Sequence, residues 1–443
     1  MNAGRRVIVV SYYFPPAGGA GTQRAAKLCK YLGGFGWTPS VICDQPKAQG
    51  LATPSLDAQM AAADLPEGLR VEHVSGETPG AWVREALERL QAMAREGPID
   101  AVLITMSPFW LSELLPRAMS VAPTVVDLRD PWAFDGVPTY RDWFEWRGDL
   151  HRMRATLGRA SAVVMNTPEA RATVLGAFPE LDGARVHAIP NGFDPADFEE
   201  AAEPSDVPEA SFRLVHTGTF LTKQVARPRN IKEAVRRVVR YRPEPIVPMG
   251  RSIGPVLGAL ELIRRETPAA LDGFRFVHVG ALDEATKSWI ERSPARDVVV
   301  TRGYVPHAES VGWLLAADAL FLHLHGVRGR HRARIVPGKT YEYLASGRPV
   351  LAALPAGDAR DLAAARERCA LADPCDPGSI ARALRTLMER RGAGAVAPNA
   401  DEGLAPYRRE AIAGRMAGVL DSVAFDESAG GSPAQAGAGA GVP

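Results

Sequence analysis

The stretch that decides the fold is residues 11–24, which read SYYFPPAGGAGTQR. It follows the apolar, β-branched run of residues 7–10, and a proline pair and three glycines lead from it toward a helical sequence. We therefore predict a strand, a tight loop and a helix capped by Thr22. Glycines let backbone N–H groups approach a phosphate, and a helix N-terminus adds partial positive charge. The stretch predicts an anion-binding loop, and a ligand-free strand-to-helix turn is the alternative.

A nicotinamide-dependent dehydrogenase must be weighed against this interpretation, because Asp44 follows about 20 residues later, where a ribose-binding carboxylate would lie. The glycine spacing disfavours it. Arg24 stands where the third glycine of the dinucleotide fingerprint belongs, and Pro15 and Pro16 lengthen a turn that such proteins keep short.

Along the rest of the chain, short β-branched runs alternate with helical stretches, and the alternation starts again in the second half. This pattern predicts βαβ units and a parallel sheet in each half. The predicted fold class is α/β, with two Rossmann-like doubly wound parallel-sheet domains and a cleft between them. The predicted strands are residues 7–13, 40–43, 101–105, 124–128, 162–166 and 186–190, followed by 212–217, 274–279, 298–300, 319–324 and 349–354.

The chain of 443 residues is long enough for two hydrophobic cores. We predict an N-terminal, acceptor-side domain over residues 1–200 and a C-terminal, nucleotide-sugar-binding domain over 209–400, joined by an acidic, alanine- and proline-rich linker. Residues 401–427 are predicted to hold a C-terminal helix that returns to the first domain. Residues 428–443 are too poor in apolar side chains to fold, and we expect a disordered tail.

Composition excludes several classes of protein. With 46% hydrophobic residues, 23% charged residues and a net charge of +1, the chain does not resemble a protein dominated by nucleic-acid binding. Its four cysteines lack the spacing of zinc or redox sites, which fits a reducing, cytoplasmic location. Because no run approaches the roughly 20 apolar residues of a membrane span, we expect at most peripheral contact with the inner face of a membrane.

The second half contains a matching pair of motifs. Residues 215–219, VHTGT, place a glycine turn after a strand, and residues 337–349, PGKTYEYLASGRP, open a helix with Lys339 and, three residues later, Glu342. A lysine can neutralise a diphosphate and a carboxylate can bind ribose hydroxyls. A solvated helix with both side chains on its surface is the alternative.

Several segments, in this order, resemble the glycosyltransferase family 4-like proteins of the GT-B fold. The resemblance implies retaining transfer of a sugar from a nucleotide-diphosphate-sugar donor to a hydroxyl acceptor. Since no Asp-x-Asp occurs, we predict neither a metal nor a cofactor. The segments are SYYFPPAGGAGTQR (11–24), VVDLRDPW (125–132), IPNGFDPADF (189–198), LVHTGTF (214–220), GYVPHAES (303–310) and PGKTYEYLASGRPVL (337–351).

The resemblance also implies roles for individual residues. Lys339 and an arginine would neutralise the diphosphate, Glu342 would hold ribose and the loop at Tyr304 and Val305 would border the base. Independently of the resemblance, Arg129 and Asp130 follow a predicted strand at its carboxyl edge, so Asp130 could orient or deprotonate the acceptor hydroxyl. An Arg–Asp pair that holds a loop explains both residues equally well. Arg24, Trp110 and Trp132 are predicted on the acceptor side, where the two tryptophans could stack on a sugar or an apolar aglycone; core or rim packing explains the tryptophans equally well. The predicted donor residues are Gly18, Gly19, Gly21, Gly218, Thr219, Arg251, Tyr304, Val305, Gly338, Lys339, Thr340 and Glu342.

Two departures from the family pattern leave alternatives open. Arg334 stands where the family commonly has the first of two glutamates, and a basic expansion over residues 223–251 stands where one phosphate-binding arginine is expected. Arg227, Arg229 and Arg251 all compete for that role. Residues 231–238 of the expansion suggest a basic amphipathic helix. It could be a solvated surface helix, could contact an anionic lipid or a phosphate-bearing acceptor, or could help to bind the donor. A nucleotide-sugar epimerase or hydrolase, and a non-catalytic sugar-nucleotide-binding subunit, are the alternative functions.

Overall fold

The computed structural model describes residues 4–17, 20–45, 64–136, 139–226, 239–391 and 395–426. It shows two parallel β-sheets with helices between their strands, so the predicted fold class is confirmed. Each sheet is buried on both faces by its own pair of hydrophobic clusters. This is the arrangement expected of strands that are apolar throughout.

The first sheet has seven parallel strands in the order β3-β2-β1-β4-β5-β6-β7. Its order reverses between β1 and β4, and in doubly wound sheets ligands bind outside the carboxyl ends of the strands at such a reversal. The residues after β1 and β4 therefore face the expected cleft. The strands are β1 Arg5–Ser11, β2 Trp37–Asp44, β3 Arg70–Val74, β4 Ala101–Met106, β5 Thr124–Leu128, β6 Ala162–Met165 and β7 Val186–Ala188.

The second sheet has six parallel strands in the order β11-β10-β8-β12-β14-β15, with its reversal between β8 and β12. The pair β9 and β13 forms a separate antiparallel ribbon. The sequence patterns did not predict β3, β9, β13 or β15. The strands are β8 Phe212–Thr217, β9 Ile246–Val247, β10 Phe274–Val279, β11 Val299–Thr301, β12 Ala319–His323, β13 Gly326–Val327, β14 Val350–Ala353 and β15 Cys369–Ala372.

The helices connect successive strands. The first helix begins at Ala20, so Thr22 lies buried within its first turn and the predicted Thr22 cap is wrong. The helices are α1 Ala20–Leu32, α2 Pro79–Glu96, α3 Leu115–Ala118, α4 Trp143–Arg159, α5 Pro168–Ala177, α6 Ala196–Glu199, α7 Gly254–Glu266, α8 Glu284–Arg292, α9 His307–Leu315, α10 Lys339–Ala345, α11 Asp358–Ala364, α12 Pro377–Glu389 and α13 Arg409–Asp426.

The chain crosses twice between the two sheets. Phe193 and Phe198 already pack in the core of the second sheet, so the first crossing lies close to Asn191. Gly192 lies there directly against the carbonyl oxygen of Tyr407, with no room for a Cβ atom. After the second crossing, α13 packs on the first sheet, where Met416 and other apolar residues of the helix join the core beside α1.

The part of the basic expansion that the structure describes connects the two domains. Tyr140 and Tyr241 exchange two backbone hydrogen bonds of 2.9 and 3.0 Å. The ring of Tyr241 packs against Trp146 of α4, with a centroid distance of 5.3 Å. The predicted amphipathic helix at residues 231–238, together with Arg227 and Arg229, lies outside the described residues. Residues 239–247 thus form an interdomain strap from the second domain to the start of α4.

Candidate active site

The first domain contributes an arginine and an aspartate directly after β5. The guanidinium of Arg129 donates to the carbonyl oxygen of Gly21 in the first turn of α1, and its Nε is buried without a partner among the described residues. Asn166 donates to the backbone carbonyl of Arg129 and fixes this loop from β6. Burial raises the pKa of the neighbouring Asp130, and the charges of Arg129 and Arg251 limit the rise. Asp130 is therefore a partly desolvated carboxylate at the cleft.

The second domain contributes Lys339 from the start of α10. Its Nζ donates to the carbonyl oxygen of Thr217 at 2.5 Å, where β8 ends. Gly218 follows with φ of 109°, a backbone angle that favours glycine, and a Cβ atom there would displace Nζ from its contact with Thr217. Burial lowers the pKa of Lys339 to about 8, with Glu342 opposing the shift and Arg251 adding to it. The β8 turn and α10 are thus held together by one lysine.

Arg251 belongs to the same charged group. It ends the 3-10 helix Pro248–Arg251, and Gly250 before it packs against the backbone of residues 324–326 at the end of β12. Burial lowers the pKa of Arg251, and the carboxylates of Asp135 and Asp130 oppose this shift. Arg251 therefore interacts across the cleft with two carboxylates of the first domain.

These contacts define the cation site, which consists of Arg129, Arg251 and Lys339. Arg129 and Arg251 interact with Asp130, and Lys339 interacts with Glu342. Cations from two domains around a partly desolvated cleft suit a ligand with more than one negative charge. Sequence reasoning missed Asp135 in this group, because nothing in the local pattern marks it.

Three buried histidines lie at the ends of the strands beneath the cation site. Sequence reasoning also missed these residues. His216, His278 and His323 are in β8, β10 and β12. The repeated pattern of a histidine at a strand end, in VHTG, VHVG and LHLH, was the available signal.

Other predicted donor residues surround this group. Thr219, Tyr304 and Gly338 are exposed, and Val305 and Glu342 are half-buried. Thr340 is buried, and its Oγ1 has no partner among the described residues. Gly18 and Gly19 lie outside the described residues.

The structure does not bring two of the three predicted acceptor-side residues to the surface of the cleft. Arg24 is 1% exposed and pairs with Asp127, with two N···O distances of 2.7 Å. Trp132 is 2% exposed and stacks on Phe109. Both are packed inside the protein, which corrects their assignment to the acceptor. Trp110 is half-buried and packs against Tyr12 and Trp82, with ring centroids 5.3 and 5.4 Å apart.

Arg334, the residue that replaces a customary glutamate, connects the domains. Its Nε donates to Thr173 Oγ1 of α5 at 2.8 Å, and its Nη1 donates to the carbonyl oxygen of Phe134. Its guanidinium also pairs with Glu244 of the interdomain strap. The arginine that replaces the customary glutamate therefore forms an ion pair with a residue of the basic expansion over residues 223–251. Arg334 faces the first domain.

The sequence of the first domain is similar to that of a known protein family. Residues 18–192 match the family model of the glycosyl transferase 4-like domain. The first domain is a glycosyl transferase 4-like domain. Its carboxyl edge carries Arg129 and Asp130, so both lie within the matched region. No curated protein matches the sequence.

Solved structures resemble the whole chain. Sucrose-phosphate synthase from Thermosynechococcus elongatus has a TM-score of 0.58 at 12% identity, covering 96% of this chain and 98% of that one. A glycosyltransferase from Rickettsia africae has a TM-score of 0.54 at 12% identity, covering 96% and 97%. UDP-GlcNAc 2-epimerase from Methanocaldococcus jannaschii has a TM-score of 0.55 at 10% identity, covering 94% and 99%. At these identities the likeness shows the fold alone, and residues 18–192 lie in the first half of this two-domain GT-B fold.

None of the helices in the described part of the chain is both long and apolar enough to cross a membrane.

Proposed function

We propose that this protein is a glycosyltransferase that moves a sugar from a nucleotide-diphosphate-sugar to a hydroxyl group of a glycan, lipid-linked or small-molecule acceptor. The observation that carries the proposal is the cation site, in which both domains supply positive charge around Asp130. The match of the first domain to glycosyl transferase 4-like domains supports it.

In the proposed reaction, Lys339 and Arg251 stabilise the negative charge that develops on the leaving diphosphate. Fixed cations in a partly desolvated cleft stabilise such charge more strongly than mobile ones in water. Lys339 is already oriented by Thr217, so little rearrangement accompanies the reaction. These side chains would take the part that a metal plays in other transferases.

Asp130 is the proposed group that orients or deprotonates the acceptor hydroxyl. Burial raises its pKa and so makes its carboxylate a better proton acceptor, while the charges of Arg129 and Arg251 oppose that rise. The family resemblance implies front-face attack with retention, in which donor phosphate oxygens share in removing the acceptor proton. Such a reaction requires no side-chain nucleophile.

A nucleotide-sugar epimerase is the second candidate, because the solved UDP-GlcNAc 2-epimerase has the same fold over 94% of this chain. The two activities differ in their products. An epimerase converts the donor without any acceptor, whereas the proposed transferase forms a new glycoside and releases a nucleoside diphosphate.

The test begins with thermal unfolding in the presence of UDP, dTDP, GDP and ADP and their sugars, because a ligand that binds the folded state raises the melting temperature. The stabilising sugar nucleotide is then incubated with hydroxyl acceptors, and the products are separated. We expect acceptor-dependent release of nucleoside diphosphate. Epimerised donor without acceptor would favour the second candidate, and binding without turnover would identify a non-catalytic subunit.

We further propose that an aromatic patch at the start of α4, with Arg147 and Arg240 beside it, contacts an anionic membrane. Trp143 and Phe144 are 46% and 77% exposed, and the guanidinium of Arg147 lies over the Trp143 ring. Val239 and Arg240 of the interdomain strap are also exposed, and Arg240 donates to Thr139 just before α4. Exposed aromatic rings among arginines suit the interface of an anionic bilayer.

Vesicle co-sedimentation tests this contact with phosphatidylcholine alone and with phosphatidylglycerol added. We expect binding only to the anionic vesicles, with loss in Phe144→Ser and little change in Val207→Ser, which alters an exposed valine near β8. Brominated lipids should quench the fluorescence of wild type but not of Trp143→Phe. Equal binding by wild type and Phe144→Ser would contradict the contact.

A further inference from the structure

His216, His278 and His323 form a buried histidine layer directly beneath the cation site. The rings of His216 and His323 have centroids 4.7 Å apart, and those of His216 and His278 are 5.8 Å apart. Neutral histidine is often a satisfied core residue. Here, however, the layer contacts the two structural elements that carry Lys339 and Arg251: Tyr343 of α10 and Gly250.

Each histidine bonds a backbone carbonyl in or near the site. The Nε2 of His278 donates to the carbonyl oxygen of Gly218 at 2.8 Å. The Nδ1 of His323 donates to that of Gly250, the residue before Arg251, at 3.0 Å. The Nδ1 of His216 donates to that of Phe321 at 2.8 Å. Since a carbonyl oxygen can only accept a hydrogen bond, each of these ring nitrogens must carry a proton.

The second nitrogens of His216 and His323 face each other, with 3.3 Å between the two Nε2 atoms. A neutral imidazole has one N–H, and in both rings the carbonyl bond already uses it at Nδ1. When both rings are neutral, the lone pairs of their two Nε2 atoms therefore face each other. A third proton, shared between the Nε2 atoms, would turn the contact into an N–H···N hydrogen bond and give the pair one positive charge.

Another arrangement of protons does not remove the conflict. The Tyr343 hydroxyl is 3.4 Å from His216 Nδ1 and could donate to it. That would place an Nδ1 lone pair against the Phe321 carbonyl at 2.8 Å. The same hydroxyl already accepts from the backbone N–H of Thr217 at 2.8 Å. The two carbonyl contacts and the Nε2 contact are therefore all favourable only when the two rings together carry three protons.

The charges around the pair oppose the third proton while the site is free of ligand. Burial holds the pKa of His216 and of His323 well below the usual value. Lys339 lowers both further, His278 adds to this, and Arg251 acts on His323. A bound diphosphate would bring two negative charges to the same cations. It would offset the repulsion that, together with burial, keeps the third proton away.

We propose that His216 and His323 position the Gly250–Arg251 backbone and take up one proton when a nucleotide-sugar diphosphate binds above them. This inference rests on the proposed function, because it requires the diphosphate at the cation site. Both histidines are positioning residues, since neither lies where the substrate would touch it. Because the bound state holds one proton more, affinity should fall as pH rises, by up to about tenfold per pH unit.

Isothermal titration calorimetry tests the proposal by counting protons. Binding of the stabilising nucleotide sugar is measured at about pH 6.5, the ordinary histidine pKa, in buffers that differ in ionisation enthalpy. Each phosphate of a nucleotide sugar carries one ester and one anhydride bond and so has no proton that titrates there, and Lys339 is already charged because its pKa is about 8. We expect net uptake approaching one proton. Binding without uptake would overturn the inference and leave the proposed function intact, whereas no binding would overturn both.

Two variants separate proton uptake from packing. In His323→Asn the amide nitrogen stands near the position of Nδ1 and can still donate to Gly250, but nothing replaces Nε2. We expect nucleotide binding with proton uptake lost. His325→Asn is the matched control, because His325 is buried and interacts with Arg251 but is not part of the Nε2 contact. Uptake that persists in His323→Asn, or disappears equally in His325→Asn, would contradict the assignment to the pair.

Discussion

At the residue scale, Arg24 shows how a buried charge positions the cleft without lining it. Its guanidinium bonds both carboxylate oxygens of Asp127 and the carbonyl oxygens of Ile189 and Pro190. Asp127 lies in β5, three residues before Asp130, and residues 189–190 lead into the first crossing. A fully paired guanidinium satisfies the buried carboxylate. Arg24 therefore holds α1, the β5 loop and the crossing in a fixed relation.

Lys339 is the residue whose removal tests the cation site most directly. We expect Lys339→Ala to weaken nucleoside-diphosphate binding at least tenfold, about 1.4 kcal/mol, because one of the charges that face the diphosphate is lost. Calorimetry or thermal shift measures the effect. Lys287→Ala is the control, since Lys287 is exposed and pairs with Glu284 of its own helix. Unchanged affinity in a folded Lys339→Ala protein would remove Lys339 from the site.

The pH dependence of the same residue gives a second prediction. Burial depresses the pKa of Lys339 to about 8, so the lysine is charged below that pH and becomes neutral as pH rises through it. Nucleotide affinity should therefore decline above about pH 8, approaching tenfold per pH unit. Affinity measured from neutral to alkaline pH should show this decline in wild type and not in Lys339→Ala. An identical decline in both proteins would assign it to another group.

At the element scale, α13 completes the first domain although it follows the second in sequence. Met416, Leu420 and Val423 of this helix lie in the core with residues of β1 and β2. The indole of Trp37 donates to Asp421 at 2.8 Å and fixes the register of the helix on the sheet. The first sheet depends on α13 to cover one of its faces.

Two changes in α13 should move stability in opposite directions. Leu420→Ala removes a fully buried side chain and should cost about 2–5 kcal/mol of unfolding free energy. Gly418→Ala should stabilise by roughly 0.5–1 kcal/mol, because the added methyl group meets no atom within 4 Å and glycine is a poor helix former. Denaturant unfolding measures both. A neutral Leu420→Ala would mean that the helix contributes little to the core.

At the scale of the whole molecule, contacts from α5 and the interdomain strap hold the two domains together. Thr167 Oγ1 donates to the carbonyl oxygen of Arg334 at 2.8 Å, and the backbone N–H of Glu169 donates to Asp358 at 3.0 Å. The side chain of Arg334 adds its bonds to Thr173 and Glu244. The cleft therefore has a defined width, set by polar contacts that can open without unfolding either core.

Arg334→Ala tests this arrangement. Removal of the guanidinium leaves Glu244 without its partner and loses the bond to α5, so we expect a larger radius of gyration in small-angle X-ray scattering. Nucleotide binding should persist, because Lys339 and Arg251 are untouched, while transfer to the acceptor should slow. Arg332→Ala is the control, since its pairs with Glu169 and Asp361 are more exposed and contribute less. Equal scattering from wild type and both variants would contradict a role of Arg334 in domain closure.

Local sequence patterns were sufficient for the architecture. Apolar, β-branched runs gave the bounds of β5, β8 and β10 as the structure has them. Buried parallel strands must be apolar along their length, and this requirement is visible without any tertiary contact. The Gly218 turn and the position of Lys339 at a helix start were also predictable, because glycine and charge at a strand or helix end have local causes. β3 was missed because RVEHV, at the edge of the sheet, is largely polar.

The partners of the charged residues were decided by the tertiary structure alone. Arg24 meets Asp127 from 103 residues away and becomes a core residue, although its neighbourhood in sequence resembles a ligand loop. Arg334 meets Glu244, and the facing histidines come from β8 and β12, 107 residues apart. Burial and pairing depend on which strands become neighbours. The sequence by itself therefore determined two parallel domains with glycine turns at their edges, whereas the packing of those domains decided which charges face the cleft.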